Sequence, residues 1–205
     1  MKVLLINGSS RKNGCTYTAL SEVANSLNAE GIETEIVQIG TSAIRGCIGC
    51  RGCAGKGRCV FDDDVVNSFI EKMKKADGLI VGSPVYYASA NGSLISLLDR
   101  MFFAGGHDVF AYKPAAAVVS ARRAGTTVTL DEINKYFMIS EMPIVSSSYW
   151  NMVHGSAPEE VFQDKEGLQT MRNLGRNMAW LLKALSGTKK PENEYNQRTD
   201  FIFKG

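Results

Sequence analysis

Histidine, tryptophan and proline are scarce in this chain: two, two and five among 205 residues. With imidazole confined to His107 and His154, each reads as a surface or packing residue rather than a general acid or base. An excess of charge of one sign is missing too. Twenty-three Lys and Arg against 21 Asp and Glu leave a net +2, with the basic residues dispersed, so there is no electrostatic case for nucleic acid. The run KMKKA at 72–76 is the solvated face of a helix. No apolar run approaches the ~20 residues of a membrane helix. The opening MKVLLINGSS has only Val3–Ile6 as its apolar run, short of the ~7–15 residues of a signal-peptide core, and no small-residue cleavage site follows. It reads as a buried first strand, and the chain as a cytoplasmic protein. Five cysteines, four of them clustered, do not make a disulfide framework. No repeat or low-complexity linker marks a second domain. A hydrophobic content of 44% and a charged content of 21% fit one ordinary domain over 1–205.

What is present is an alternation of strand and helix patterns. Strands are expected at 2–7 (KVLLIN), 33–39, 77–84, 113–121 and 142–150 (MPIVSSSYW). Helices are expected at 16–29, after the acidic triplet Asp62–Asp64, at 93–103, at 126–140 and at 166–186. The tail, 188–205, is polar with an aromatic end. This alternation predicts an α/β three-layer sandwich around a five-stranded parallel sheet. The flavodoxin-like order 2-1-3-4-5 puts ligands at the carboxyl ends of the strands.

The loop GSSRKNGCT at 8–16 joins the first strand to the first helix. Ser9, Ser10 and Thr16 offer hydroxyls, Gly8 and Gly14 allow close backbone approach, and Arg11 adds a charge. The helix that follows aims its free N–H groups at the same place, a cradle for a phosphomonoester. The loop is neither G-x-G-x-x-G nor G-x-x-x-x-G-K-[ST], which counts against dinucleotide and nucleoside-triphosphate sites. Cys15 reads as a small packing residue, with a reactive low-pKa thiol as the alternative. After the third strand, SPVYYASANGSLISLLDR at 83–100 offers an apolar, aromatic lip of Pro84, Val85, Tyr86 and Tyr87, suited to a planar ring. Asp99 and Arg100 read as a structural pair at a helix end.

These two loops, with PAAAVVSARRAGTT at 114–127, resemble the NAD(P)H-dependent FMN reductase family of the flavodoxin-like fold, over residues 1 to about 185. The resemblance implies that Ser9, Arg11 and Thr16 hold the FMN phosphate, with Ser10 and Cys15 lining the loop. It implies that Pro84, Val85, Tyr86 and Tyr87 flank the isoalloxazine, with backbone N–H groups reaching its polar edge. Asn91 and Gly92 would sit near the ring, and Ala121, Arg122, Arg123 and Gly125 would close its pyrimidine side. The arginine pair departs from the glycine-richer loop of the family. It would serve a reduced anionic flavin or the phosphate of NADPH, or be two solvated side chains. The flavin carries the chemistry, so no catalytic side chain is required.

Four cysteines, Cys47, Cys50, Cys53 and Cys59, stand at C-x2-C-x2-C-x5-C within the loop 40–61, among glycines and basic residues. Compact thiolate sets of this kind hold iron–sulfur clusters. The spacing and its place after the second strand resemble the iron–sulfur flavoproteins, a branch of the same fold. A [4Fe–4S] cluster, structural zinc and a metal-free thiol loop all remain open. Two functions follow. One is an enzyme taking electrons from NAD(P)H and passing them to a quinone, a nitro or azo compound, or free flavin. The other is an iron–sulfur flavoprotein shuttling electrons between ferredoxin-like donors and an acceptor. Family resemblance also implies a homodimer or homotetramer, with the cysteine loop and residues 103–113 as candidate contacts.

Overall fold

The leucine and valine run Lys2–Asn7 forms β1, the core strand of a parallel sheet. In the computed structural model, which describes residues 1–197 and 199, β1 is flanked by β2 (Glu33–Gln38) and β3 (Gly78–Pro84). β4 (Ala115–Ala121) and β5 (Met152–His154) complete the expected order β2-β1-β3-β4-β5. The crossovers are α1 (Cys15–Ala29), α2 (Val66–Lys74), α3 (Gly92–Phe110) and α4 (Thr126–Ile139). A one-turn α5 (Pro158–Val161) and the long α6 (Lys165–Leu185) follow β5.

Strand alternation splits the core into two layers. Val3, Leu5, Ile80, Ala116 and Val118 meet α1 and α6 on one face. Leu4, Ile6, Leu79, Val81, Ala117 and Val119 meet α2, α3 and α4 on the other. Strands with apolar residues on both faces are what a doubly covered parallel sheet requires.

The fifth strand departs from expectation. Within 142–150 only Ile144 bridges β4, opposite Ala115, and the ladder resumes with Met152 opposite Val119. The intervening serines turn instead to α6. Ser147 Oγ donates to Thr170 O (2.6 Å), Asn173 Nδ2 donates to Ser148 Oγ (3.0 Å), and Asn177 Nδ2 donates to Ser146 O (2.9 Å). These side-chain bonds compete with the sheet ladder, so the segment bulges and the strand proper starts two residues past the expected end. Helix α3 also runs past the expected end at 103 and, through a kink at the non-helical Gly106 (φ 63°), continues to Phe110. In the tail, Asn193 and Tyr195 donate to Glu141 at 2.6 and 2.8 Å. The expected aromatic end, Phe201 and Phe203, lies outside the described residues.

At the β2 edge, Glu35 is paired with Lys72 and, at 2.9 Å, with Lys2. These lysines, Lys72 first, hold its carboxyl below its ordinary value of 4.5. The carboxylate therefore stabilises the fold above that value, and the contribution is lost as pH falls through the lowered folded pKa. Solvent screening keeps it below about 1 kcal/mol. Glu35→Gln is expected to shrink the stability difference between pH 7 and pH 3 by that amount in urea titrations. An unchanged difference would remove the pair from the acid sensitivity.

Candidate functional site

At the carboxyl end of β1, Asn7 organises the first loop from beneath. Its Oδ1 accepts from Ser9 N (3.1 Å) and its Nδ2 donates to Lys12 O (3.2 Å). Ser9 Oγ in turn accepts from Arg11 N (3.1 Å), and Gln38 Nε2, from the end of β2, donates to Ser9 O (3.0 Å). The loop is thus tied to two strands before it reaches α1. Helix α1 begins after Gly14 with no side-chain cap and no acidic residue in its first turn. Its first amides are left for an anion to meet.

The second loop is a tight reversal. Tyr86 and Ser89 exchange backbone hydrogen bonds (2.9 and 3.0 Å) around Tyr87 and Ala88, both at positive φ (52° and 58°). Two non-glycine residues in the left-handed region are strained and need support. Glu132 of α4 supplies it, accepting from Ser89 Oγ (2.8 Å) and Ala90 N (2.7 Å). Gly125, also at positive φ, packs beneath, where a Cβ would lie 2.9 Å from Val85 Cγ1 and Ala88 Cα. Asn91 caps α3 through Ser93 N (2.9 Å) and donates to Gly8 O (2.8 Å), joining the second loop to the first.

These loops and two further segments surround one cleft of about 730 Å³, counted to its open mouth. Of the residues singled out in the sequence, Ser9, Arg11, Cys15, Thr16, Pro84, Val85, Tyr86, Ala121 and Arg122 line it. Ser10, Tyr87, Asn91, Gly92, Arg123 and Gly125 do not. Tyr87 projects fully into solvent, Asn91 works from beneath, and Gly92 starts α3 in open space. Of the arginine pair, only Arg122 faces in. The amide donors expected along the lip are also fewer. Val85 N donates to Ser120 O (2.9 Å) and Tyr86 N to Ser89 O, which leaves the Tyr87 amide outside these bonds.

Gly14 of the first loop also lines the cleft, with Ser120, Gly155 and Ser156, which the sequence does not single out. Ser120 Oγ pairs with Thr16 Oγ1 at 2.8 Å, tying the start of α1 to the end of β4. A fifth strand expected at 142–150 leaves Gly155 and Ser156 away from its carboxyl end. With β5 ending at His154, they are its carboxyl-end loop. Gly155 N donates to Ala121 O (3.0 Å), and Cys15 Sγ donates to Gly155 O (3.5 Å). Burial pushes the Cys15 thiol up, which favours the packing role over a reactive thiolate.

A second cleft, about 320 Å³ to its mouth, lies between the cysteine loop and α3. All four clustered cysteines line it, with Phe61, Arg100 and Phe103. Positive φ at Gly49, Arg51, Gly55 and Gly57 turns the loop around it. Cys47 and Cys50 are exposed, Cys53 is half-buried and Cys59 is buried. Among the described residues, no three His, Cys, Asp or Glu side chains gather tightly enough for one metal ion. A single zinc needs its sulfurs within about 2.3 Å of one point, which the four cysteines lining this cleft do not provide. Burial raises the Cys53 thiol, and the other three thiols add to the rise, so any metal group must displace protons to bind.

Asp99 and Arg100 are not a helix-end pair. Both lie mid-way along α3: Asp99 accepts from Tyr136 OH (2.6 Å), while Arg100 is buried and ion-paired with Asp64. No described helix is long and apolar enough to cross a membrane.

Residues 1–157 match the family model described as NADPH-dependent FMN reductase. An iron–sulfur flavoprotein of Methanocaldococcus jannaschii is 36% identical over 192 residues, covering 90% of this chain and 99% of its own length. A second from the same organism is 30% identical over 206 residues, covering 91% and 100%. Among solved structures, a flavodoxin from the domain Archaea superposes with a TM-score of 0.60 at 15% identity, covering 89% of this chain and 99% of its own; at that identity the likeness speaks for the fold. With the sheet order, the cleft at the strand tips and the match over 1–157 in agreement, the chain belongs to the NADPH-dependent FMN reductase family and is a flavoprotein oxidoreductase.

Proposed function

We propose that the chain holds FMN in the strand-tip cleft and a [4Fe–4S] cluster on Cys47, Cys50, Cys53 and Cys59, and that it carries electrons to a small-molecule acceptor through both. The observation behind this reading is that the four cysteines share one cleft while the family's flavin loops build another. The names of the two similar archaeal relatives support it. When bound, the flavin exchanges electrons in pairs or singly, and the cluster exchanges them singly.

The residues of the chain bind and orient. Ser9, Arg11 and the first amides of α1 receive the phosphate, since two strands already hold their loop. Pro84, Val85 and Tyr86 wall one side of the ring site, and Ala121 lines it beside Arg122. Arg122 brings positive charge to the cleft and favours an anionic ligand there. NADPH is the electron source favoured by the family model, with a quinone, a nitro or azo compound, or free flavin as acceptor. A ferredoxin-like protein as donor is the alternative that the cysteine cleft favours. Self-association as a homodimer or homotetramer in the cytoplasm belongs to the same proposal. It draws support from Tyr87, Phe103 and Ile139, which stand exposed beside the clefts or in the lip loop. A flavin-loaded monomer by light scattering would overturn that part.

Iron, acid-labile sulfide, zinc and FMN are to be measured per chain after purification without oxygen. About four irons and four sulfides with FMN are expected. Flavin without iron in anaerobic material would withdraw the cluster and leave the NADPH-dependent reductase.

A further inference from the structure

A guanidinium inside a helix core is costly unless its charge and donors are matched, and an apolar side chain of similar size usually stabilises as well or better. Arg100 is only 2% exposed, and four partners converge on it. Nη1 pairs with Asp64, whose carboxylate side chain is 5% exposed, and donates to Arg45 O (3.2 Å). Nη2 donates to Phe61 O (3.1 Å) and Nε to Cys59 Sγ (3.4 Å). Arg45 lies two residues before Cys47, and Phe61 two residues after Cys59. The two ends of the cysteine segment therefore meet on one side chain of α3.

Cys59 is fixed from its backbone as well. Asn67 Oδ1 accepts from Cys59 N (2.8 Å), and Asn67 Nδ2 donates to Cys59 O (3.1 Å). The three other cysteines lie on the glycine-rich part of the loop and are less buried. An ion pair alone does not account for this arrangement: Asp64 neutralises Arg100 through Nη1 and leaves Nε aimed at the sulfur. Hydrogen bonds to ligand sulfurs and nearby net charge are what set a cluster's reduction potential.

Resting on the cluster reading above, we infer that Arg100 is a positioning residue: it presents Cys59 as the preset ligand and, through its Nε–H bond to that sulfur, stabilises the more negative, reduced charge state. Asp64 opposes it by offsetting the positive charge. Removing either member should therefore move the potential in opposite directions, which a merely structural role would not do.

The test uses the full chain purified without oxygen, as wild type, Arg100→Gln, Arg100→Lys and Asp64→Asn. Bound FMN and circular dichroism check folding; iron content, loss of iron to a chelator and the cluster midpoint potential are the readouts. Arg100→Gln is expected to lower the potential and Asp64→Asn to raise it. Both Arg100 variants are expected to lose iron to the chelator about tenfold faster. Shifts of the same sign, or unchanged potential and iron loss in folded variants, would overturn the inference. Should Arg100→Gln fail to fold, pulsed electron paramagnetic resonance of reduced wild type and Arg100→Lys, each labelled with ¹⁵N-arginine, decides: an arginine nitrogen coupling present in wild type and lost in Arg100→Lys supports it, and no such difference overturns it. Wild type without iron would withdraw the cluster and this inference together. Iron in wild type with unaffected variants would withdraw this inference alone.

Discussion

Arg11→Ala is expected to weaken FMN binding roughly 10- to 100-fold while leaving riboflavin within about twofold. The charge-assisted bond it removes is worth about 1.5–3 kcal/mol, and every ~1.4 kcal/mol is a factor of ten. Arg11 lines the cleft beside the uncapped start of α1. Its loop is held by Asn7 and Gln38 through bonds to residues other than the Arg11 side chain. Truncation therefore removes the charge and leaves the cradle standing. Riboflavin lacks the phosphate, so it reports everything except that contact. Fluorescence titrations of the apoprotein with both ligands decide the matter. Equal losses would show that Arg11 orders the loop or the ring instead.

Gly8→Ala is the second large effect, and it acts on fold and site together. A Cβ at Gly8 would stand 2.6 Å from Gly82 O and 2.5 Å from Leu94 Cδ2. The carbonyl cannot withdraw easily, because it accepts from Gly8 N at 2.8 Å, and Leu94 is wholly buried. Overpacking of this kind costs about 1–3 kcal/mol, and we place this case at the upper end. At this chain length that lowers Tm by roughly 5–10 °C. The shifted loop should also lose FMN affinity, because Gly8 O accepts from Asn91 Nδ2 and so couples both flavin loops. Gly92→Ala is the matched control: nothing lies within 4 Å of its added Cβ, and it starts α3. Its melting temperature and FMN affinity should stay near wild type. A Gly8→Ala protein that melts and binds like wild type would show that the loop has slack the geometry denies.

Strand-tip loops were legible in the residues because their chemistry is local. A glycine, serine and arginine loop before a helix, and a proline–tyrosine lip after a strand, announce themselves within a few positions. The fifth strand was not legible. MPIVSSSYW has strand-like ends, but its serines find partners on α6, about 25 residues onward, and no local pattern shows that competition. One early strand end then hid Gly155 and Ser156. Arg100 differs from expectation for a similar reason: adjacency to Asp99 suggests a local pair, whereas its partner Asp64 lies 36 residues away.

The sequence by itself determined the parallel sheet, its order, the glycine- and serine-rich first loop and the spacing of the four cysteines, because hydrophobic periodicity and short-range turn chemistry are written into neighbouring residues. Only the tertiary structure decided which of two arginines lines the strand-tip cleft, which amides remain for a ligand, and that one buried guanidinium joins both ends of the cysteine loop. Those choices depend on which polar groups meet once the helices close on the sheet. Burial makes each unmatched donor costly, and the match is struck between residues far apart in the chain.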